Sequence, residues 1–126
     1  MTTLDIRDMN DVVVVSFKLA KLVDDAVVGQ VAEEFQKLRL EAGVDRKLLL
    51  NFHRVAFMGS TMISQIVLLS QLCKENEIDL RLCCISPDIL EVFKLTKLTK
   101  RLKIYETETK ALGAFDSSRR RWFQRA

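Results

Sequence analysis

Glycine and proline are scarce, with four and one among 126 residues, so neither a collagen-like repeat nor a Gly/Pro-rich disordered chain is open to this sequence. Histidine occurs once, at His53, and one imidazole without a second ligand reads as a solvated loop residue. Cysteine occurs three times, an odd count, and Cys83 and Cys84 are neighbours on an expected strand. Their side chains are therefore expected on opposite faces, which argues against a disulfide framework or a zinc knuckle. No cofactor or metal is called for. No apolar run approaches the roughly 18 residues of a membrane span. Met1-Thr2-Thr3-Leu4-Asp5 lacks the basic start and apolar centre of a signal peptide, so a cytoplasmic protein is expected.

Excess charge is also missing from most of the chain. Arg119, Arg120, Arg121 and Arg125 against Asp116 account for the whole net charge of +3, leaving residues 1–115 neutral. A strongly basic nucleic-acid-binding core is thereby disfavoured, because phosphate binding draws on concentrated cationic surface. What is present is an ordinary globular balance, 48% hydrophobic against 29% charged, enough for one core and one domain. The expected division is a domain over 1–115 and a basic, flexible tail over 116–126.

Periodicity orders the domain. Leu4 and Ile6 alternate with polar residues, Asn10-Asp11 supplies turn chemistry, and Val12-Val13-Val14-Val15 follows, which predicts a β-hairpin whose second strand is central. From Asp24 the spacing changes: Val28, Val31, Phe35, Leu38 and Ala42 share one helical face, with Asp24 or Asp25 as N-cap and Gly43 as the stop. Glu33, Glu34, Gln36, Lys37 and Arg39 fill the opposite, solvated face. The run from Lys47 to Phe52 reads as a buried parallel strand. A second helix from Thr61 carries Met62, Ile63, Ile66, Val67, Leu69, Leu72 and Cys73, and the run from Leu80 to Ile85 is the next strand. Ser86-Pro87-Asp88 starts a third helix with Ile89, Val92, Phe93 and Thr96 inward. A short strand over Lys103-Ile104-Tyr105 precedes a final helix capped by Thr107 that buries Ala111, Leu112 and Phe115. The alternation predicts an α/β fold: a mixed, mostly parallel sheet of about four or five strands with about four helices.

The chain is organised around Val55 to Ser64, where an apolar run ends in a Gly59-Ser60-Thr61 corner and a helix begins. Ser60 and Thr61 there suit a helix N-cap, and equally suit a phosphate beside free backbone N–H groups. A phosphorylation would add about −1.5 to −2 charge against the helix N-terminus, and the same charge would repel an acidic partner or spoil an apolar interface.

The order of elements, the stretch from Leu48 to Thr61, and the later Ile85-Ser86-Pro87 with Val92-Phe93 resemble the STAS family of anti-sigma factor antagonists over about residues 3–115. The resemblance implies a non-enzymatic signalling module of STAS-like fold that binds an anti-sigma factor or serine/threonine kinase-like partner through Gly59, Ser60, Thr61, Met62 and Ser64. It implies Thr61, with Ser60 beside it, as phosphorylation candidates. Three positions depart from the family pattern: Asn51 and Gly59 stand where the family has Asp, and Met62 where it has Gly. Met62 is expected to add apolar bulk to the docking surface. The alternative is a degenerate STAS domain acting as a constitutive scaffold, or binding a small ligand such as a nucleotide or lipid.

Acyl-transfer chemistry has the residue types in Ser60, His53 and Asp45 but no recognisable spacing, so no catalytic residue is assigned. The basic stretch Lys94, Lys97, Lys100, Arg101 and Lys103 reads as a solvated face that also suits steering of an acidic partner. The tail mixes Arg119-Arg120-Arg121 with Trp122-Phe123, a composition that suits RNA or anionic lipid as well as a frayed terminus. Neither DNA binding by the core nor stable membrane insertion is expected.

Overall fold

The computed structural model describes residues 2–9, 11–41 and 47–115. Within them β1 (Leu4–Met9) and β2 (Val12–Phe17) form the expected hairpin, antiparallel, with Leu4 opposite Phe17 and Met9 opposite Val12. Its turn passes through Asp11 at φ 69°, a left-handed conformation that Asp tolerates. β3 (Lys21–Leu22) leads to α1 (Asp25–Glu41), whose start is capped by Asp24: its Oδ1 accepts the Ala26 N–H at 2.8 Å. β4 (Lys47–Asn51), β5 (Phe57–Met58), α2 (Ser60–Glu75), β6 (Asp79–Cys83), α3 (Pro87–Leu95), a 3-10 turn (Leu98–Lys100) and β7 (Lys103–Tyr105) follow, and a helix α4 covers 108–115.

The main sheet has five strands in the order β1-β2-β4-β6-β7, and only the β1 pairing is antiparallel. After the hairpin every new strand is added on the same side of the last one. Crossovers of one hand then place the connecting helices on one face. The packing bears this out: Val15, Phe17, Leu48, Leu50, Phe52 and Leu82 meet Val31 and Phe35 of α1, Ile66 and Leu69 of α2, and Phe93 of α3 in one core. The alternate strand residues Val12, Val14, Leu49 and Cys83 face the other way, against Ala111 and Phe115 of α4. Thr107 caps α4, its Oγ1 accepting the Lys110 N–H at 3.1 Å. β2, with its run of valines, therefore lies inside the sheet and is covered on both faces.

Four expectations change. Glu34 is not on a solvated face: it is 8% exposed, and its carboxylate accepts the Thr3 N–H at 2.9 Å, the Leu4 N–H at 3.4 Å and the Thr3 hydroxyl, which ties α1 to the start of β1. Val92 and Thr96 are exposed because α3 is short and only Ile89 and Phe93 reach the core; the Thr96 hydroxyl donates back to the Val92 carbonyl at 2.8 Å. Cys83 and Cys84 do not part to opposite faces. Cys84 lies beyond the end of β6 at φ 63°, and this left-handed turn brings both thiols against the α4-side core. The strand expected over 80–85 is Asp79–Cys83, one residue earlier at its start. Asn10, Ala42, Gly43, Asp45 and the tail 116–126 lie outside the described residues.

Candidate functional site

At the C-terminal end of β4 the chain turns at His53-Arg54, where the Val55 N–H returns to the Phe52 carbonyl at 2.9 Å and Val55 is buried. It then runs beside the segment that leaves β2. The N–H groups of Ala56 and Phe57 donate to the Ala20 carbonyl at 2.8 and 3.0 Å, and the Gly59 N–H to the Leu22 carbonyl at 3.2 Å. β3 and β5 thereby form a separate parallel two-stranded ladder, with Lys21 beside Phe57 and Leu22 beside Met58. This ladder was not legible in the sequence, since two-residue strands carry no periodicity. Its consequence is that two apolar side chains stand in solvent next to the corner: Phe57 is 58% exposed and Val23 is 52% exposed. Lys21 Nζ sits 5.8 Å from the centre of the Phe57 ring, so the ring carries a cation on one side.

α2 opens at Ser60, with Gly59 as its N-cap residue at φ −87°, ψ 171°. No side chain caps it, and its first turn holds no acidic residue. Ser60 and Thr61 therefore do not act as the N-cap; both lie inside the first turn with exposed side chains. The first intrahelical bond is the Ile63 N–H to the Gly59 carbonyl at 3.1 Å, so the N–H groups of Ser60, Thr61 and Met62 precede the ladder and present the positive end of the helix. Ser64, one turn on, donates its hydroxyl to the Ser60 carbonyl at 3.0 Å. Met62 corrects an expectation. It is 0% exposed and packs into the core with Ile66 and Leu69, because position 62 belongs to the buried stripe of α2, so it adds nothing to a docking surface.

Asn51 ends β4 on the α4 side of the sheet. Its Nδ2 donates to Glu108 Oε1 at 3.0 Å, the same oxygen that accepts Arg7 Nη2 at 2.6 Å, while its Oδ1 accepts the His53 N–H at 2.9 Å and lies 3.0 Å from His53 Nδ1. Among the described residues no hydrogen bond joins Asn51 to the Gly59–Ser64 corner. A neutral amide suits this position because it donates to a carboxylate and accepts from a backbone N–H at once, which a carboxylate cannot do.

Nucleophile chemistry finds little support in the thiols. Burial pushes the Cys73 thiol up to about 11, and burial, then the neighbouring Cys84, pushes that of Cys83 higher still. Arg81, buried beside the sheet edge, is held charged: burial acts to lower its pKa, but the bond and charge of Asp79, with the Tyr105 hydroxyl, outweigh it and raise the value. Among the described residues no cluster of three His, Cys, Asp or Glu side chains could hold a metal ion, and no helix is long and apolar enough to cross a membrane.

The family model for the STAS domain matches residues 5–111. An anti-sigma-factor antagonist (STAS) domain protein from Planctomyces limnophilus is 28% identical, with a TM-score of 0.76, over 90% of this chain and 98% of that one. SpoIIAA, the Bacillus cell fate determinant solved in its phosphorylated form, is 19% identical at a TM-score of 0.67, over 89% and 98% of the two chains. RsbS from Moorella thermoacetica is 18% identical at 0.70, over 94% and 99%. The last two likenesses concern the fold. No curated protein sequence matches significantly.

Proposed function

The chain belongs to the STAS domain family, and from that premise we propose that it is a signalling interaction module that docks an anti-sigma factor or serine/threonine kinase-like partner at the Gly59–Ser64 corner. One observation carries the reading. The uncapped N-terminus of α2 presents the exposed hydroxyls of Ser60 and Thr61 directly beside the exposed Phe57 and Val23. Apolar side chains standing in solvent at a rigid turn supply the area a protein partner covers, and the hydroxyls supply a switch within that area. The partner-facing residues are then Val23, Phe57, Gly59, Ser60, Thr61 and Ser64.

Phosphorylation would fall on Thr61, or on Ser60. The γ-phosphoryl group of ATP passes to the side-chain oxygen, ADP leaves, and the hydroxyl proton goes to a base that the kinase itself supplies, since Gly59 offers no carboxylate here. The product anion sits against the N–H groups of the first turn, which favours it, and places charge in an otherwise apolar contact, which releases the partner. No residue of this chain is assigned a catalytic role.

A second reading, a constitutive scaffold, draws on Asn51 and Gly59. Asn51 is engaged with Glu108 and His53, away from the corner, and Gly59 carries no side chain to orient a hydroxyl. Mass spectrometry after incubation with ATP and the cognate kinase separates the two. Modification of Thr61 or Ser60, together with loss of the partner by Thr61→Glu, is the expected result. An unmodified corner and a Thr61→Glu variant that still holds its partner would leave only the scaffold.

A further inference from the structure

The parallel strands β4, β6 and β7 all run toward the corner, so their starting ends form the far side of the molecule. There, between the last turn of α2 and the 3-10 turn before β7, the helical layer leaves a hollow of about 290 Å³. Its floor is apolar, made by Ile78, Leu80 and Leu102, and its rim carries Lys74, Arg101 and Lys103. Asp79 also lines it, but that carboxylate is engaged: it accepts from Arg81 at 3.1 and 3.2 Å and from Lys103 at 3.5 Å. Lys74 and Arg101 make no ion pair among the described residues. Glu75, the last residue of α2, and Glu77, in the turn that follows it, do not line the hollow.

The residues preceding the tail are neutral overall, so this concentration of cations over one apolar depression is a local feature, not a reflection of a basic protein. A concave, low-dielectric wall strengthens the field of the charges at its rim. A bare inorganic anion would use the rim and leave the floor wet; a neutral apolar molecule would use the floor and leave the cations unused. The volume lies at the lower end of ligand pockets, below what a folded partner segment fills. We infer that the hollow binds a small organic anion, a carboxylate or sulfonate carried on an apolar body, with Lys74 and Arg101 meeting the head group and Ile78, Leu80 and Leu102 the body.

The site shares no residue with the Gly59–Ser64 corner, and it gives the small-ligand alternative a location of its own. Fluorescence titration of the intact chain with anilinonaphthalene sulfonate tests it, with decanoate and inorganic phosphate as competitors. One probe per chain is expected, displaced by decanoate and not by phosphate at the same concentration. Lys74→Ala combined with Arg101→Ala removes two exposed side chains that hold no fold contact by ion pairing, and should weaken the probe about tenfold. Phe57→Ser should bind it as the parent does. Full affinity in the double variant, loss of binding in Phe57→Ser, or equal displacement by phosphate would each overturn the assignment. None of these outcomes bears on partner release by Thr61→Glu.

Discussion

Glu34 shows how much a single residue decides and how little of that its sequence position reveals. It sits next to Glu33 on a helix whose apolar stripe is plain, and by periodicity both belong to water. The fold turns Glu34 inward because the start of β1 passes over that side of α1, leaving the Thr3 and Leu4 N–H groups in need of acceptors at the sheet edge. Glu34→Ala strips these buried donors of their partner and should cost about 2 kcal/mol, read as a fall in the urea midpoint at constant slope. Cys73 gives a second test. Its thiol is raised from 9.0 to about 11 in the fold, so the native state holds its proton where the unfolded chain has lost it. The associated stability is fully present below pH 9 and is lost as pH climbs from 9 to 11, by at most about 1.4 kcal/mol per unit. In Cys73→Ala that part of the slope disappears from the stability-versus-pH curve. The same residue scale explains why Met62 departs from what the resemblance implies: the resemblance puts it on a docking surface, whereas it belongs to the core stripe of α2. Asn51, at the end of the buried strand, closes a hydrogen-bonded junction with Glu108.

Among the elements, both α2 and α3 were readable as helices, but only the cap of α3 was legible in its starting residues. Ser86-Pro87-Asp88 announces a cap, and Ser86 Oγ accepts the Ile89 N–H at 3.4 Å. Gly59-Ser60-Thr61 looks equally like a cap, yet the helix begins one residue early because the Gly59 N–H is tied to Leu22 in the β3–β5 ladder, which sets where the extended backbone ends. That ladder involves residues 35 or more positions apart, beyond the reach of any local pattern. The two starts predict opposite responses. Ser86→Ala should cost about 1 kcal/mol, while Ser60→Ala and Thr61→Ala should stay within about 0.5 kcal/mol of the parent in chemical denaturation. Gly59→Asp fits the backbone at φ −87°, and its Cβ would meet Val23 at an ordinary 3.7 Å. The added carboxylate should therefore stabilise α2 by a few tenths of a kcal/mol, visible as a higher melting temperature.

At the scale of the whole molecule, the mixed, mostly parallel sheet and its four helices follow from alternation and crossover rules, and the sequence carried both. The polar fastening of α4 was not visible, because its partners are scattered. Arg81 lies 4.6 Å from the Phe115 ring and donates to Tyr105 at 2.6 Å, while Arg7 and Asn51 share Glu108 at the other end of the helix. Phe115 is fully buried there, so Phe115→Ala should cost about 3–4 kcal/mol. We propose that the domain ends with this helix, and a chain stopping at residue 115 should keep a single cooperative unfolding transition. The Arg7–Glu108 bond spans 101 residues. On the ribosome this means that the hairpin, the other three strands of the main sheet and three helices emerge while one sheet face, Val12, Val14, Leu49 and Cys83, still waits for its cover. For that interval the nascent chain offers a bare apolar surface, and the pace of translation past α4 sets how long chaperones or neighbouring chains have access to it.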